Sequence, residues 1–208
     1  AVFANMGFDT FTSLEYMQNV VKTPKNWAKD NVLTGCIKDA LDSTEGRDMI
    51  YTISVQGHGK YPSEKVIENP KIEVLSAPTE ELKWKYEYYV NQVYEMDEFI
   101  GQLTEELAKR DEPTVLVMYG DHIPAIDITE DDLENGNLYG TQYIIWNNFG
   151  MAKDDENLHS YQLAAHVMDM LDMQVGTIFT YQQNHKNSET YLADLKALGY
   201  DMLYGKYY

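Results

Sequence analysis

Cysteine and long apolar runs are both nearly absent from this sequence. The 208 residues include one cysteine, Cys36, so an internal disulfide is excluded. Cys36 lies in an apolar helical context, which favours packing over catalysis. No stretch approaches the ~20 consecutive apolar residues that a membrane-spanning helix needs. Nothing at Ala1 resembles a signal peptide, and we expect the chain to be a mature or excised piece of a longer protein.

Basic residues are also scarce. The chain has 16 lysines and arginines against 34 aspartates and glutamates, which gives a formal net charge of −18. Because this acidity repels phosphates, we expect no nucleic acid partner. An anionic substrate would need a metal ion or a local basic pocket to bind. A second interpretation is that the charge only keeps the protein soluble.

The sequence does have the apolar content of a folded domain. Hydrophobic residues make up 44% of the chain and aromatic residues 12%. That content, over this length, is typical of a packed globular domain. We therefore predict a single domain over residues 1–208.

The order of apolar patterns predicts an α/β protein. Apolar residues recur every three or four positions over 79–110, which predicts one long helix. Two short runs are continuously apolar, as in strands buried on both faces of a parallel sheet. A strand, the long helix and a second strand would then form a right-handed crossover. The predicted elements are helices 10–22, 27–42, 79–110, 160–173 and 188–198, strands 49–55, 114–119 and 142–146, and an irregular or edge-strand end from 199.

Two histidines follow predicted strands. His58 comes after the strand 49–55, and Asp121 and His122 come after the strand 114–119. If these strands are parallel, both loops open on the same edge of the sheet, where ligands bind in open α/β folds. A carboxylate beside an imidazole is able to bind Mn²⁺, Mg²⁺ or Zn²⁺. The alternative is an Asp that caps the next segment, with an exposed His beside it.

The other candidates favour structural interpretations. His166 lies at apolar spacing within a helix, which predicts a core residue rather than a ligand. His159 and His185 lie in polar surroundings and are expected to be solvated. The acidic runs at 130–132 and 154–156 resemble calcium-loop fragments but lack the EF-hand spacing, so we expect solvated loop charge.

Seven short strings together resemble the extracellular catalytic domain of lipoteichoic acid synthases, in the alkaline-phosphatase-like superfamily that includes the sulfatases. They occur in the family's order over essentially the whole chain. The strings are Met6 to Asp9, Trp27 to Asp30, Tyr51 to Gly59, Tyr88 to Gln92, Tyr119 to Pro124, Gln142 to Asn148 and Tyr200 to Lys206.

The resemblance implies a fold and a set of ligands. The fold would be α/β: part of an alkaline-phosphatase-like mixed, mostly parallel sheet flanked by helices, without its N-terminal strands. The chain would be the C-terminal portion of that catalytic domain. In this family the residues matching Asp121 and His122 bind the catalytic metal, Mn²⁺ or Mg²⁺. The residue matching His58 lies by the phosphate of the bound headgroup.

The departures from the family pattern matter equally. The threonine nucleophile and a further acidic ligand are expected upstream of Ala1, so no catalytic residue is assigned within the chain. The Asp-x-x-Pro-Thr segment common in sulfatases is absent, and 161–166 stand in its place. That difference favours the lipoteichoic acid synthase branch.

The resemblance implies a glycerol-phosphate transferase that acts on phosphatidylglycerol-type lipids at the extracellular face of a bacterial membrane. This piece alone is expected to be inactive. A phosphoethanolamine transferase or a sulfatase is the alternative enzyme. A non-catalytic interaction module is the alternative class, with self-association through the truncated sheet.

Overall fold

The structure is a computed structural model, and it describes residues 2–206 of the chain. Its regular elements are mostly helices. In chain order they are α1 (Val2–Asn5), α2 (Asn31–Asp42), α3 (Glu80–Leu107), β1 (Val115–Tyr119), β2 (Tyr143–Asn147), α4 (Leu163–Met170), α5 (Gly176–His185) and α6 (Tyr191–Tyr204), with short 3₁₀ helices at Leu14–Tyr16, Glu130–Asp132 and Ser160–Gln162. Within 2–206, no helix combines the length and the apolar character needed to cross a bilayer.

The chain divides into two compact units. The first is Ala1–Asn148 and the second is Phe149–Tyr208. The first unit carries α1 to α3 and both strands, and the second carries α4 to α6. One domain over 1–208 stays a prediction, because two compact units can belong to one domain.

Helix α3 organises the first unit, as its periodicity predicted. The Thr79 side chain caps its N-terminus by accepting a hydrogen bond from the Leu82 N–H at 3.1 Å. The apolar face of α3 packs against α2 and the strands. The buried cluster comprises Leu33, Phe99, Leu103 and Leu107, with Leu116 and Trp146 packed against it.

The predicted mostly parallel sheet is wrong for the strands described here. Within 2–206 there is one two-stranded sheet, in which β1 and β2 are antiparallel, with Val115 opposite Asn147. A continuous apolar run indicates burial but carries no information on strand direction, which is why the pattern misled.

The segment 49–55 is not a strand, although its composition predicts one. It has no regular secondary structure and no hydrogen-bonded ladder, and Met49 and Ile53 are exposed. The Tyr51 and Tyr119 hydroxyls approach to 3.4 Å. A strand exists only when a neighbour pairs with it, and no described residue pairs with this segment, so the predicted crossover is also wrong.

Two predicted helices in the first unit differ from the structure. Residues 10–22 contain only the 3₁₀ helix Leu14–Tyr16, and α2 begins at Asn31 rather than at 27. The residues before α2 form a tight turn. In it, Lys22 and Ala28 form an isolated antiparallel β-bridge, and the Thr23 N–H donates to the Trp27 carbonyl at 2.8 Å. That turn uses the backbone groups that an earlier helix start would need.

The second unit is helical. Predicted helix 160–173 is confirmed as Ser160–Gln162 followed by α4. Helix α6 runs to Tyr204, so the predicted irregular or edge-strand end is wrong. Helix α5 was not predicted, because its weakly amphipathic sequence has no clear apolar stripe.

Candidate functional site

The structure brings the imidazole rings of His58 and His122 close together. Their centroids are 6.4 Å apart and their planes are nearly perpendicular, at 82°. The rings come from the loop after the segment 49–55 and from the loop after β1. The sequence predicts this proximity from two parallel strands. The structure reaches it without a parallel ladder between those segments.

His58 is oriented by its neighbours. Its ring meets the Trp27 ring edge-on, with centroids 4.8 Å apart. Its Nδ1 lies 2.7 Å from the Gly59 carbonyl oxygen. Because a carbonyl only accepts, Nδ1 must carry the proton, so Nε2 is the nitrogen left to meet a ligand.

His122 repeats this arrangement beside a carboxylate. Its Nδ1 donates to the Ile123 carbonyl at 2.8 Å, which leaves an Nε2 lone pair in the neutral ring. That Nε2 lies 3.6 Å from Asp121 Oδ1, and both side chains are mostly exposed. Two ligands of one cation, each about 2.1 Å from it, lie about 3–3.5 Å apart. At 3.6 Å, Asp121 and His122 lie slightly wider apart than this, and a small side-chain rotation would bring them to adjacent positions around a divalent cation.

The tautomer also fits metal binding. A histidine that binds a metal usually donates its other ring N–H to a carbonyl or carboxylate, as His122 does to Ile123. Over residues 2–206, no third acidic, histidine or cysteine side chain joins Asp121 and His122 in a three-ligand group. These two residues therefore supply part of a coordination shell.

Tyr61 fixes the loop that carries His58. Its hydroxyl donates to the Gly57 carbonyl at 3.0 Å. Burial, helped by the nearby Tyr89 and Tyr88 phenols, raises the pKa of Tyr61 to about 12, so the hydroxyl stays protonated as a donor at neutral pH. Neither Tyr61 nor Trp27 was singled out as a site residue, because their contacts depend on loop geometry that no sequence spacing encodes.

A second group of potential ligands lies in the unit 149–208. One ligand atom each from Asp154, Glu156 and His166 lie within 4.8 Å of one another. His166 is buried as predicted, with Nδ1 3.6 Å from Glu156 Oε2. The Lys186 ammonium lies 3.2 Å from that same oxygen, so a cation already balances Glu156. The run at 154–156 was predicted to be solvated charge, and its contact with a buried imidazole was missed.

A family profile identifies the family to which the sequence belongs. The Sulfatase family profile matches residues 1–173, so the chain belongs to the Sulfatase family. Enzymes of this family are typically metal-dependent. The predicted resemblance to the sulfatase and lipoteichoic acid synthase group is confirmed at this level.

The fold is similar to that of a solved bacterial enzyme. Streptococcus pyogenes phosphoglycerol transferase GacH, in complex with sn-glycerol-1-phosphate, superposes with a TM-score of 0.77 over 96% of this chain and 56% of that chain. The two sequences are 20% identical, so the likeness shows the alkaline-phosphatase-like fold. The predicted alkaline-phosphatase-like fold is thereby confirmed in part.

A sequence relative is named for a different substrate class. The chain is 31% identical over 127 residues to a Rhizobium meliloti (strain 1021) protein named for cyclic beta-1,2-glucan modification. The match covers 61% of this chain and 20% of that protein. The chain thus spans about half of the solved transferase and a smaller part of this relative.

Proposed function

We propose that this chain carries part of the catalytic site of a metal-dependent glycerol-phosphate transferase. Membership of the Sulfatase family and the fold shared with a phosphoglycerol transferase support this assignment. The observation that carries it is the approach of His58 to His122, with Asp121 alongside. These side chains combine two metal ligands with a group able to bind a phosphate.

Asp121 and His122 hold the metal in this proposal. His122 offers Nε2 because Nδ1 is committed to the Ile123 carbonyl, and Asp121 offers an oxygen 3.6 Å away. Such donors suit Mn²⁺ or Mg²⁺. The bound cation supplies positive charge that stabilises phosphoryl oxygens, and it offsets repulsion between an acidic protein and an anionic substrate.

His58 binds the phosphate of the headgroup. Its Nδ1–H is held by the Gly59 carbonyl, so protonation places a second N–H on Nε2, the nitrogen free to meet a ligand. A charged N–H donates a short, strong hydrogen bond to a phosphate oxygen. The Trp27 ring limits the rotation of the imidazole and keeps that donor in place.

The nucleophile is expected outside these 208 residues. By resemblance it is a threonine whose oxygen bonds to phosphorus while the bond to the lipid alcohol breaks and the proton passes to that alcohol. An acceptor hydroxyl oxygen then bonds to phosphorus while the bond to the threonine oxygen breaks, and the acceptor's proton returns to that threonine oxygen. The chain alone is therefore expected to bind ligands without turnover.

The donor is inferred from the family resemblance, and the acceptor from the name of a relative. We infer a phosphatidylglycerol-type donor, which places the site at the extracellular face of a bacterial membrane. The relative named for glucan modification favours a glycan hydroxyl as acceptor over a growing glycerol-phosphate polymer. A phosphoethanolamine transferase or a sulfatase remains the alternative, because residues outside the chain choose the headgroup.

A specific surface supports a second candidate function, that of an interaction module. Met49, Tyr51 and Ile53 are exposed on a segment that pairs with no strand within residues 2–206, and the sheet described there has only two strands. Exposed edges and apolar segments favour association with another chain. Sedimentation should show self-association, and a clean monomer would contradict it.

Ligand binding by the 208-residue chain tests the catalytic proposal. We expect calorimetry to show weak Mn²⁺ binding and Mn²⁺-dependent binding of sn-glycerol 1-phosphate. His122→Ala should abolish Mn²⁺ binding. His58→Ala should abolish only the binding of sn-glycerol 1-phosphate. His185→Ala is the matched control, since that ring stacks on Tyr181 in the other unit. Turnover of a chromogenic phosphodiester, lost in His122→Ala, would contradict the expected position of the nucleophile.

A further inference from the structure

Gln56 is the most completely bonded buried side chain near the candidate site. It is 1% exposed and lies two residues before His58. Its Oε1 accepts the Asp30 N–H at 2.7 Å. Its Nε2 donates to Gln92 Oε1 at 3.1 Å and also to Glu95 Oε2. One amide thus joins the segment that precedes His58 to α3 and to the residue before α2.

Asp30 both donates to and accepts from the segment before His58. The buried Asp30 carboxylate accepts the Ser54 hydroxyl at 2.7 Å. The backbone N–H groups of Val55 and Gln56 also act on this carboxylate, where they lower its pKa against the effect of burial. Asp30 and residues 54–56 are therefore tied together by both side-chain and backbone groups.

This network takes the place of a β-ladder. Within residues 2–206, nothing pairs with 49–55 as a strand, so no backbone ladder sets where the segment ends. Glu95 also accepts from the Lys29 ammonium at 2.7 Å, which attaches the turn carrying Trp27 to α3. The Trp27 and His58 rings that meet at 4.8 Å are thus both tied to α3.

We propose that Gln56 is a positioning residue, which holds the His58 imidazole against Trp27 and directed toward His122. It acts through the backbone of 56–58 and touches no ligand. The expected effect of Gln56 on ligand binding rests on the proposed function. The position of the ring itself is measurable without any ligand.

A merely structural role is the competing explanation, and the chain offers a matched control for it. Asn91 is also a buried amide bonded at α3, where its Oδ1 accepts the N–H groups of Lys71 and Ile72 and its Nδ2 donates to the Ile72 carbonyl. It ties down a loop without a candidate site residue. Gln56→Ala and Asn91→Ala should each reduce stability, and only the first should move His58.

The experiment is histidine-ring NMR on the 208-residue chain and its variants. In the parent chain we expect cross-relaxation between the Trp27 and His58 rings and a proton on His58 Nδ1. Gln56→Ala should weaken the cross-relaxation and shift the His58 ring nitrogens. It should also weaken Mg²⁺-dependent binding of sn-glycerol 1-phosphate by about 10- to 100-fold, the usual effect of removing a supporting residue. Asn91→Ala should leave the cross-relaxation, the His58 nitrogen shifts and the binding of sn-glycerol 1-phosphate unchanged.

Each outcome decides the inference. Unchanged His58 signals in folded Gln56→Ala would overturn it, as would equal shifts in Asn91→Ala. If Gln56→Ala does not fold, Gln92→Ala removes one of the three bonds of Gln56 and should give a smaller shift in the same direction, and no shift would overturn the proposal. A parent chain that shows the ring contact but binds no glycerol phosphate would refute the proposed function and leave the positioning role standing.

Discussion

The two loops that form the candidate site are held in opposite ways. The loop of His58 is fixed from behind by buried side chains, of which Gln56 is the centre, and by the Tyr61 hydroxyl. The loop of Asp121 and His122 follows a paired strand but extends both side chains into solvent. One loop is positioned by side chains and the other by a strand.

This difference separates stability from binding at the two loops. A residue in the buried network contributes to folding, so a change there alters both stability and His58. An exposed ligand contributes little to folding, so a change there should alter binding alone. The predictions below use that contrast, from the largest expected effect to the smallest.

The largest effect is expected from His122→Ala. Loss of one of two cation ligands should weaken Mn²⁺ binding by at least about 100-fold. The free energy of unfolding should change by no more than about 0.5 kcal/mol, because the side chain is mostly exposed. Calorimetry checks the change in Mn²⁺ binding, and urea unfolding of the same samples checks the free energy of unfolding. A large loss of stability would show that the two loops are not held differently.

Next in size is Asp30→Ala in the buried network. It removes the carboxylate that accepts the Ser54 hydroxyl, and a hydrogen bond to a charged group contributes about 1.5–3 kcal/mol. Urea unfolding measures the loss. Asp39→Ala is the control, since Asp39 is exposed on neighbouring α2. Equal effects of the two variants would contradict the buried network.

How much of this was predictable differs along the chain. The long helix α3 and its Thr79 start were predicted, because periodicity and capping are local properties of the sequence. The pairing of strands was not, because 49–55 has the composition of a strand but no partner within the described residues. The closeness of His58 to His122 was predicted from a parallel sheet that those residues do not form.

The supporting residues were hidden for a related reason. Gln56 and Asp30 are polar residues near turns, a pattern typical of solvent-exposed loops. Their burial follows from contacts with α3 across many residues of sequence, which no local spacing records. The family resemblance indicates candidate ligand-binding residues. The buried residues that support them become visible only in the structure.

A smaller effect concerns the pH dependence of the same network. Burial raises the pKa of Asp30 above its ordinary 3.8, although the Ser54 hydroxyl and the backbone N–H groups partly oppose this. The folded state then binds more protons than the unfolded state between the ordinary and the raised pKa. Stability should therefore fall as pH rises through that window. Urea unfolding across a pH series should show this slope in the parent and not in Asp30→Asn. A parent stability that rises relative to the variant would contradict it.

The smallest effect is expected from Tyr61→Phe, which removes one bond from the His58 loop. Losing the hydroxyl that donates to the Gly57 carbonyl should cost about 0.5–1.5 kcal/mol. The pKa of Tyr61 is raised to about 12 by burial, so the folded state keeps this proton between the usual tyrosine value and about 12, and stability should fall as pH rises through that window. Ultraviolet titration should lose its last-ionising component in Tyr61→Phe and not in Tyr139→Phe, because Tyr139 is 93% exposed. A late component that persists in Tyr61→Phe would contradict the assignment of the raised pKa to Tyr61.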